Sequence, residues 1–129
     1  MARTTIPATR RLRGQRAWAS GHAAEDIVAR RYEGEGKPVL DRRWRGQGGE
    51  IDIIAREGDS LVFVEVKKAR SFDEAAWRLG ARQIARLCAA AAEYLGGQPR
   101  GQDSEMRFDL ALVDGGGAVQ VIENAFMAA

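Results

Sequence analysis

The stretch from Gly49 to Lys67 constrains this chain more than any other. It reads Gly49-Glu50-Ile51-Asp52-Ile53-Ile54-Ala55, then Arg56-Glu57-Gly58-Asp59-Ser60, then Leu61-Val62-Phe63-Val64-Glu65-Val66-Lys67. The two flanking runs are strand-like, and Gly58-Asp59 between them suits a two-residue hairpin turn with glycine first. That turn pairs Glu57 with Ser60. Counting back, Ala55 meets Val62, Ile53 meets Val64 and Ile51 meets Val66, an entirely apolar face. The other face pairs Arg56 with Leu61, Ile54 with Phe63, Asp52 with Glu65 and Glu50 with Lys67. Directly opposed residues have Cβ atoms roughly 4.5–5.5 Å apart, and like charges there are destabilising. Acidic groups buried among aliphatic ones are costly unless something pairs with them. An Asp–Glu pair so placed needs a cation. Lys67 lies two residues past Glu65, on the same face and roughly 6.5 Å along the strand. Two carboxylates and an ammonium thus converge on one patch, which suits a divalent metal and a reaction on phosphate. The competing reading, a solvated outer face of an amphipathic hairpin, explains the pattern poorly, because Ile54 and Phe63 share the charged face.

At 129 residues the chain is expected to form one domain with one core. No apolar run approaches the ~20 residues needed to cross a bilayer. Met1 to Arg16 lacks the apolar core of a signal peptide, so a cytoplasmic location is the default. The single Cys88 excludes an internal disulfide and a Cys-rich zinc site. It falls on the apolar side of a predicted helix and reads as a small buried hydrophobe. Charge is uneven: Arg3, Arg10, Arg11, Arg13 and Arg16 precede any acid, leaving 15 basic against 18 acidic residues in the remainder, a net of −3. Residues 1–15 are expected to be a flexible Arg-rich arm, able to track phosphates or simply solvated. Residues 16–129 form the domain.

Within it, Ala24, Ile27, Val28 and Tyr32 recur at helical spacing, from about Ala17 or Gly21, and Gly34 and Gly36 stop that helix. Pro38-Val39-Leu40 reads as a short strand. Arg42-Arg43-Trp44-Arg45 and Gly46-Gln47-Gly48-Gly49 read as a basic, flexible approach to the hairpin. Ser71 and Glu74 make a possible capping box, and Gly80 interrupts the helical stretch they begin. Ile84, Leu87, Cys88, Ala91 and Leu95 mark the buried stripe of a further helix, ending at Gly96-Gly97. Met106 to Val113 alternates like a strand. Asp114-Gly115-Gly116-Gly117 turns into a last strand, Ala118 to Ile122. The expected class is α/β, a mixed β-sheet flanked by helices, in the order αβββαββ.

An acid on one strand, followed after a short hairpin by Glu-x-Lys, resembles the signature of the PD-(D/E)xK nuclease superfamily, which has the restriction-endonuclease-like fold. A wider set resembles the YraN-type proteins, small bacterial members of that fold. It comprises Gly21, Ala24, Glu25 and Ala29, then Arg45, Gly49 to Ala55, Phe63 to Lys67, and Arg107-Phe108-Asp109. The likeness covers roughly residues 15–126. It implies that Asp52 and Glu65 ligate Mg²⁺ or Mn²⁺, with the backbone carbonyl of Val66 as a further ligand, and that the Glu25 carboxylate from the first helix completes the shell or holds a metal-bound water. Hard cations of this kind take carboxylate and carbonyl oxygens. Lys67 would orient or deprotonate the attacking water, or neutralise charge developing on phosphorus. Glu50 matches the motif as well, as a partner for Lys67 or for a backbone group. Many relatives carry a Lys near the start of the second helix; here Arg78, Arg82 and Arg86 stand instead, suited to phosphate contact but not to a catalytic lysine.

Among supporting residues, His22 lies three residues before Glu25 on the same helical face. It can touch substrate or metal, although a lone His is more often structural. Trp44, among Arg42, Arg43 and Arg45, can stack on a base beside phosphate-binding arginines or anchor the sheet edge. Trp18 and Trp77 read as packing residues. Arg107 and Asp109 share a strand face and are expected to form an ion pair near the site or a structural contact. The glycines of 46–49 lack phosphate-loop spacing. The favoured function is metal-dependent hydrolysis of phosphodiester bonds, on DNA before RNA, including branched or single-stranded forms. The chain would act as a monomer, or as a homodimer where both strands of a duplex are cut. The alternative is a non-catalytic nucleic-acid-binding or adaptor module that keeps the nuclease fold.

Overall fold

The computed structural model describes residues 22–125. The Arg-rich arm, Trp18 and Gly21 lie outside the described residues. A first helix, α1, covers residues 22–34. It is followed by β1 (Val39–Arg45), β2 (Glu50–Glu57), β3 (Ser60–Lys68), α2 (Phe72–Arg78), α3 (Ala81–Leu95), β4 (Met106–Val113) and β5 (Val119–Ile122). The expected class holds, with two helices broken at Gly80 filling the one helical place between β3 and β4. The five strands form one mixed sheet in the order β1-β2-β3-β4-β5, in which only β3 and β4 run parallel. A parallel pair needs a long crossover, and α2 and α3 supply it.

Hairpin chemistry sets the centre of the sheet. Gly58 takes φ 61°, as a two-residue turn with glycine first requires, and β2 pairs with β3 from Glu57–Ser60 through Ala55–Val62 to Ile53–Val64 in the predicted register. The strands are covered on both faces, so their apolar runs are nearly continuous rather than alternating. Ala24, Val28 and Tyr32 of α1 pack on Ile53, Ala55, Val62, Val64, Ala111 and Val113. Leu87, Ala90, Ala91 and Leu95 of α3 pack on Ile54, Leu61, Phe63 and Phe108 on the opposite face.

Four sequence expectations change. Residues Arg42–Arg45 are not a flexible approach but the body of β1, an edge strand, where charged side chains are tolerated. Gly46–Gly49 is fixed rather than mobile: the Glu93 carboxylate accepts from the N–H groups of Gln47 (2.8 Å) and Gly48 (3.3 Å). A Cβ on Gly49 would stand 3.0 Å from the Arg86 carbonyl, so glycine is needed for backbone to approach α3, not phosphate. Cys88 is exposed, not buried; Ala90 takes the place on the stripe that Cys88 was expected to fill. Trp77 is 90% exposed and packs on nothing in the core.

The capping box forms in altered shape. Ser71 Oγ accepts from the Glu74 N–H at 3.1 Å, but the Glu74 carboxylate reaches back to the N–H of Arg70, one residue early. On the α1 face, Asp109 is fully buried and fully engaged. Its carboxylate accepts from the Tyr32 hydroxyl (2.6 Å), from Arg107 Nε (2.9 Å) and from the Asn124 N–H (3.3 Å). Arg107 also pairs with Glu57 and Glu123. Burial together with the Asp109 hydrogen bond pushes the Tyr32 hydroxyl far above its usual range. The Arg107–Asp109 pair is therefore a structural clamp between α1, β4 and the hairpin, on the face of the sheet opposite Glu65.

Candidate functional site

β2 and β3 part company where the acids stand. Their pairing stops at Ile53–Val64, so the expected pairs Asp52–Glu65, Ile51–Val66 and Glu50–Lys67 lie beyond the ladder. In its place Asp52 Oδ2 accepts the Val66 N–H at 2.8 Å. A side-chain carboxylate thus satisfies the backbone donor that a strand carbonyl would otherwise take. Side-chain alternation shifts at the same level. Ile51 and Ile53, two apart, lie in different cores: Ile51 joins Trp44 and α3, while Ile53 joins α1. Across on β1, Arg43 has a left-handed backbone, φ 51°. Adjacent strand residues normally face opposite ways, yet Arg42 and Arg43 both bond acids of α1.

The carboxyls of Asp52 and Glu65 act on each other electrostatically. Burial, then the nearby Asp52 charge, pushes the Glu65 carboxyl up to about 8, against a smaller opposing pull from Lys67. Burial raises Asp52 as well, offset in part by the Val66 N–H. Glu65 is 6% exposed. Its Oε2 accepts from Gln83 Nε2 at 2.9 Å and lies 3.3 Å from Lys67 Nζ. The acid pair opens into a cavity of ≈ 450 Å³ whose wall also includes Arg45, the Gly46–Gly49 backbone, Gln83 and Arg86.

The structure therefore brings together Asp52, Glu65 and Lys67, as the sequence indicated, with the Val66 backbone beside them. Glu25 is turned to β1: its Oε1 accepts from Arg43 Nε at 2.7 Å, with Arg42 at 4.0 Å. Its charge still reaches Asp52 and raises it further. Glu50 pairs with Arg45 at 3.5 Å, not with Lys67. Arg42 bonds Asp26 at 2.6 Å and holds that carboxyl below its usual range, with a smaller contribution from His22. So Arg42 and Arg43 are engaged with α1, while Arg45 borders the cavity and Arg82 is exposed on α3. Trp44 is half-buried, its ring edge-on to Tyr94 at 5.3 Å, which fits the sheet-edge anchor.

Gln83 is the site residue that the sequence reading missed. The signal was present: Gln83, Leu87, Ala91 and Leu95 recur every fourth residue, so a polar side chain heads a buried stripe. Such a residue needs a buried partner, and Glu65 is that partner.

A five-stranded mixed sheet with helices on both faces, carrying an acid pair and a lysine on its central strands, is consistent with the restriction-endonuclease-like α/β class. Residues 24–113 match the model of the uncharacterised protein family UPF0102. The chain is 58% identical over 114 residues to a UPF0102 protein of Ruegeria pomeroyi, covering 88% of this chain and 93% of that one. It is 54% identical over 115 residues to a UPF0102 protein of Cereibacter sphaeroides, covering 89% and 98%. A UPF0102 protein of Roseobacter denitrificans is 47% identical, with 87% of each chain covered. The chain belongs to the UPF0102 family, the YraN-like family that its motifs resemble. No helix among the described residues is long and apolar enough to cross a membrane.

Proposed function

We propose that this protein is a metal-dependent nuclease that hydrolyses phosphodiester bonds of DNA in the cytoplasm. One observation carries the reading: two carboxyls stand together at the wall of a cavity, one of them beside a lysine. A divalent cation suits such a pair, since two neighbouring carboxylates repel unless a positive charge stands between them. The donor set fits Mg²⁺ or Mn²⁺. Among the described residues no group of three or more His, Cys, Asp or Glu side chains is gathered, and Mg²⁺ is commonly held by one or two carboxylates while keeping several waters.

Asp52 and Glu65 would hold the metal, with the Val66 carbonyl as a further oxygen. The bound cation supplies an activated water and charge neutralisation on the phosphate. Gln83 fixes the Glu65 carboxylate through Oε2, so the oxygens need not reorganise on binding. The Asp52 carboxylate is aimed by the Val66 N–H. Lys67 stands 3.3 Å from Glu65 and is placed to orient the attacking water or to meet charge developing on phosphorus. Glu25 joins the shell only by leaving Arg43, so its role is to tune the charge at Asp52 unless substrate opens that pair.

The test is a cleavage screen of linear, flapped, four-way and single-stranded DNA and RNA with Mg²⁺ and with Mn²⁺. Asp52→Ala and Lys67→Ala are expected to abolish cutting. If no form is cut under any metal condition, the reading is wrong. Salt-sensitive DNA binding that survives Glu65→Ala, without cleavage, would instead establish a non-catalytic binding module.

A further inference from the structure

Trp77 is the most exposed of the large hydrophobic side chains among the described residues, 90% against 39% for Leu40 and 40% for Phe72. It contributes nothing to the core, and its setting is cationic. Residues 67–86 carry Lys67, Lys68, Arg70, Arg78, Arg82 and Arg86 against Asp73 and Glu74, a net of +4 in a body of net −3. Two arginines near Trp77 in the chain are open to solvent, Arg70 at 90% and Arg78 at 53%. Both lean on the single carboxylate of Glu74 at 3.6 Å, which can neutralise only one of them, and Arg78 also donates to the Lys68 carbonyl at 2.7 Å. Asp73 lies one turn before Trp77 and repels phosphate from that flank. The Arg78–Arg82 flank is left as the side a polyanion can follow.

That flank leads to the acid pair. Gln83, whose amide touches Glu65, is six positions after Trp77, so the two Cα atoms are at most ~20 Å apart. An aromatic face in a positive setting is how proteins hold single strands, because every base offers a π-face and the arginines follow the phosphates. In a duplex those faces are covered. We propose that Trp77 is a base-stacking platform for single-stranded nucleic acid, with Arg78 and Arg82 along its backbone, delivering the strand to the Asp52–Glu65 site. This deepens the nuclease reading and rests on it for the destination of the strand, but not for the binding itself.

The experiment uses the full chain in EDTA, where no metal-dependent cleavage occurs, with labelled oligothymidylate, oligouridylate and a duplex of equal length. Binding is followed by anisotropy, and folding by thermal denaturation. Trp77→Ala is expected to weaken single-strand binding about tenfold and duplex binding less than about twofold, with Trp77→Phe retaining most of the affinity. Arg82→Gln is expected to lower the salt slope by about 0.7, the value of one phosphate contact on a single strand. The tighter of the two oligonucleotides decides between DNA and RNA. The proposal is overturned if wild-type protein binds neither, if Trp77→Ala with unchanged melting binds as wild type, or if single strand and duplex lose affinity equally. It is also overturned if the protein binds phosphatidylserine vesicles and not oligonucleotide, and Trp77→Ala abolishes the vesicle binding. Because binding is read without metal, its failure leaves the cleavage reading standing. Intact binding with no cleavage under Mg²⁺ or Mn²⁺ removes only that reading.

Discussion

Glu65→Gln takes away one titrating group while keeping a side chain of the same shape that can still bond Gln83. Glu65 is buried, and its carboxyl is pushed up to about 8 by burial and by Asp52. The folded state therefore binds this proton more tightly than the unfolded chain, where a glutamate titrates near 4.5. The stabilisation is complete below about pH 4.5 and is lost as pH rises through about 8. Within that window stability falls steadily as pH rises, by a few kcal/mol in all, on the order of what a carboxyl shifted by several pH units contributes. Asp52 is raised too, so the pair titrates together and the wild-type decline belongs to both carboxyls. Urea denaturation between about pH 5 and pH 8 in EDTA should show wild type losing stability relative to Glu65→Gln at each step. The carboxylates of Asp26, Glu35, Glu57 and Glu74, all held low by neighbouring groups, titrate below this window and cancel in the comparison. Adding Mg²⁺ at about pH 8 should restore much of the wild-type loss, since the cation neutralises the carboxyl pair once it is ionised, and should do less for the variant. Parallel pH curves for the two proteins, or no response of wild type to Mg²⁺ or Mn²⁺, would refute the account of the dyad.

Gln83→Leu removes the amide that fixes Glu65 and should weaken Mn²⁺ binding roughly 10- to 100-fold by calorimetric titration. Tyr32→Phe takes one donor from the fully buried Asp109 and should cost about 1–3 kcal/mol in urea denaturation. It leaves metal binding unchanged, because that clamp lies on the α1 face. Gly49→Ala sets a Cβ 3.0 Å from the Arg86 carbonyl and should destabilise by about 1–3 kcal/mol in thermal unfolding, whereas at Gly34 a Cβ meets nothing within 4 Å and alanine should be neutral or stabilising.

What was legible in the sequence was what is local. The hairpin register follows from strand period and turn chemistry over fewer than twenty residues, and it holds pair by pair from Glu57–Ser60 to Ile53–Val64. The phase of α3 was not legible at Cys88, because Cys88-Ala89-Ala90-Ala91-Ala92 has no polar residue to mark its solvent side. Leu87 and Leu95 set the phase instead, and Cys88 turns outward. β1 was hidden by charge: Arg42 and Arg43 look like loop until their partners Asp26 and Glu25 are in place, and those lie 16 and 18 residues away. Trp77 misled for the opposite reason. An aromatic residue in a helical pattern suggests core, but the residues buried in and just after α2 are Ala75 and Leu79, and Trp77 is left in solvent.

The alternation rule that located the site fails at the site itself, and the failure has a physical use. Had the ladder continued past Ile53–Val64, the Val66 N–H would have gone to a strand carbonyl and the Asp52 side chain would have stayed unaimed. Because pairing stops, the Asp52 carboxylate takes that N–H and is held against Glu65. The left-handed Arg43 opposite, a conformation costing a non-glycine residue about 1–2 kcal/mol, turns its guanidinium to Glu25 and so keeps a third carboxylate paired beside the dyad rather than within it. Local strain and interrupted pairing persist only where surrounding structure enforces them. Here α3 and the Gly46–Gly49 turn do so around one cavity, with Glu25 of α1 holding Arg43, which is why the chemistry belongs to that end of the hairpin and not to the buried Asp109 on the other face of the sheet.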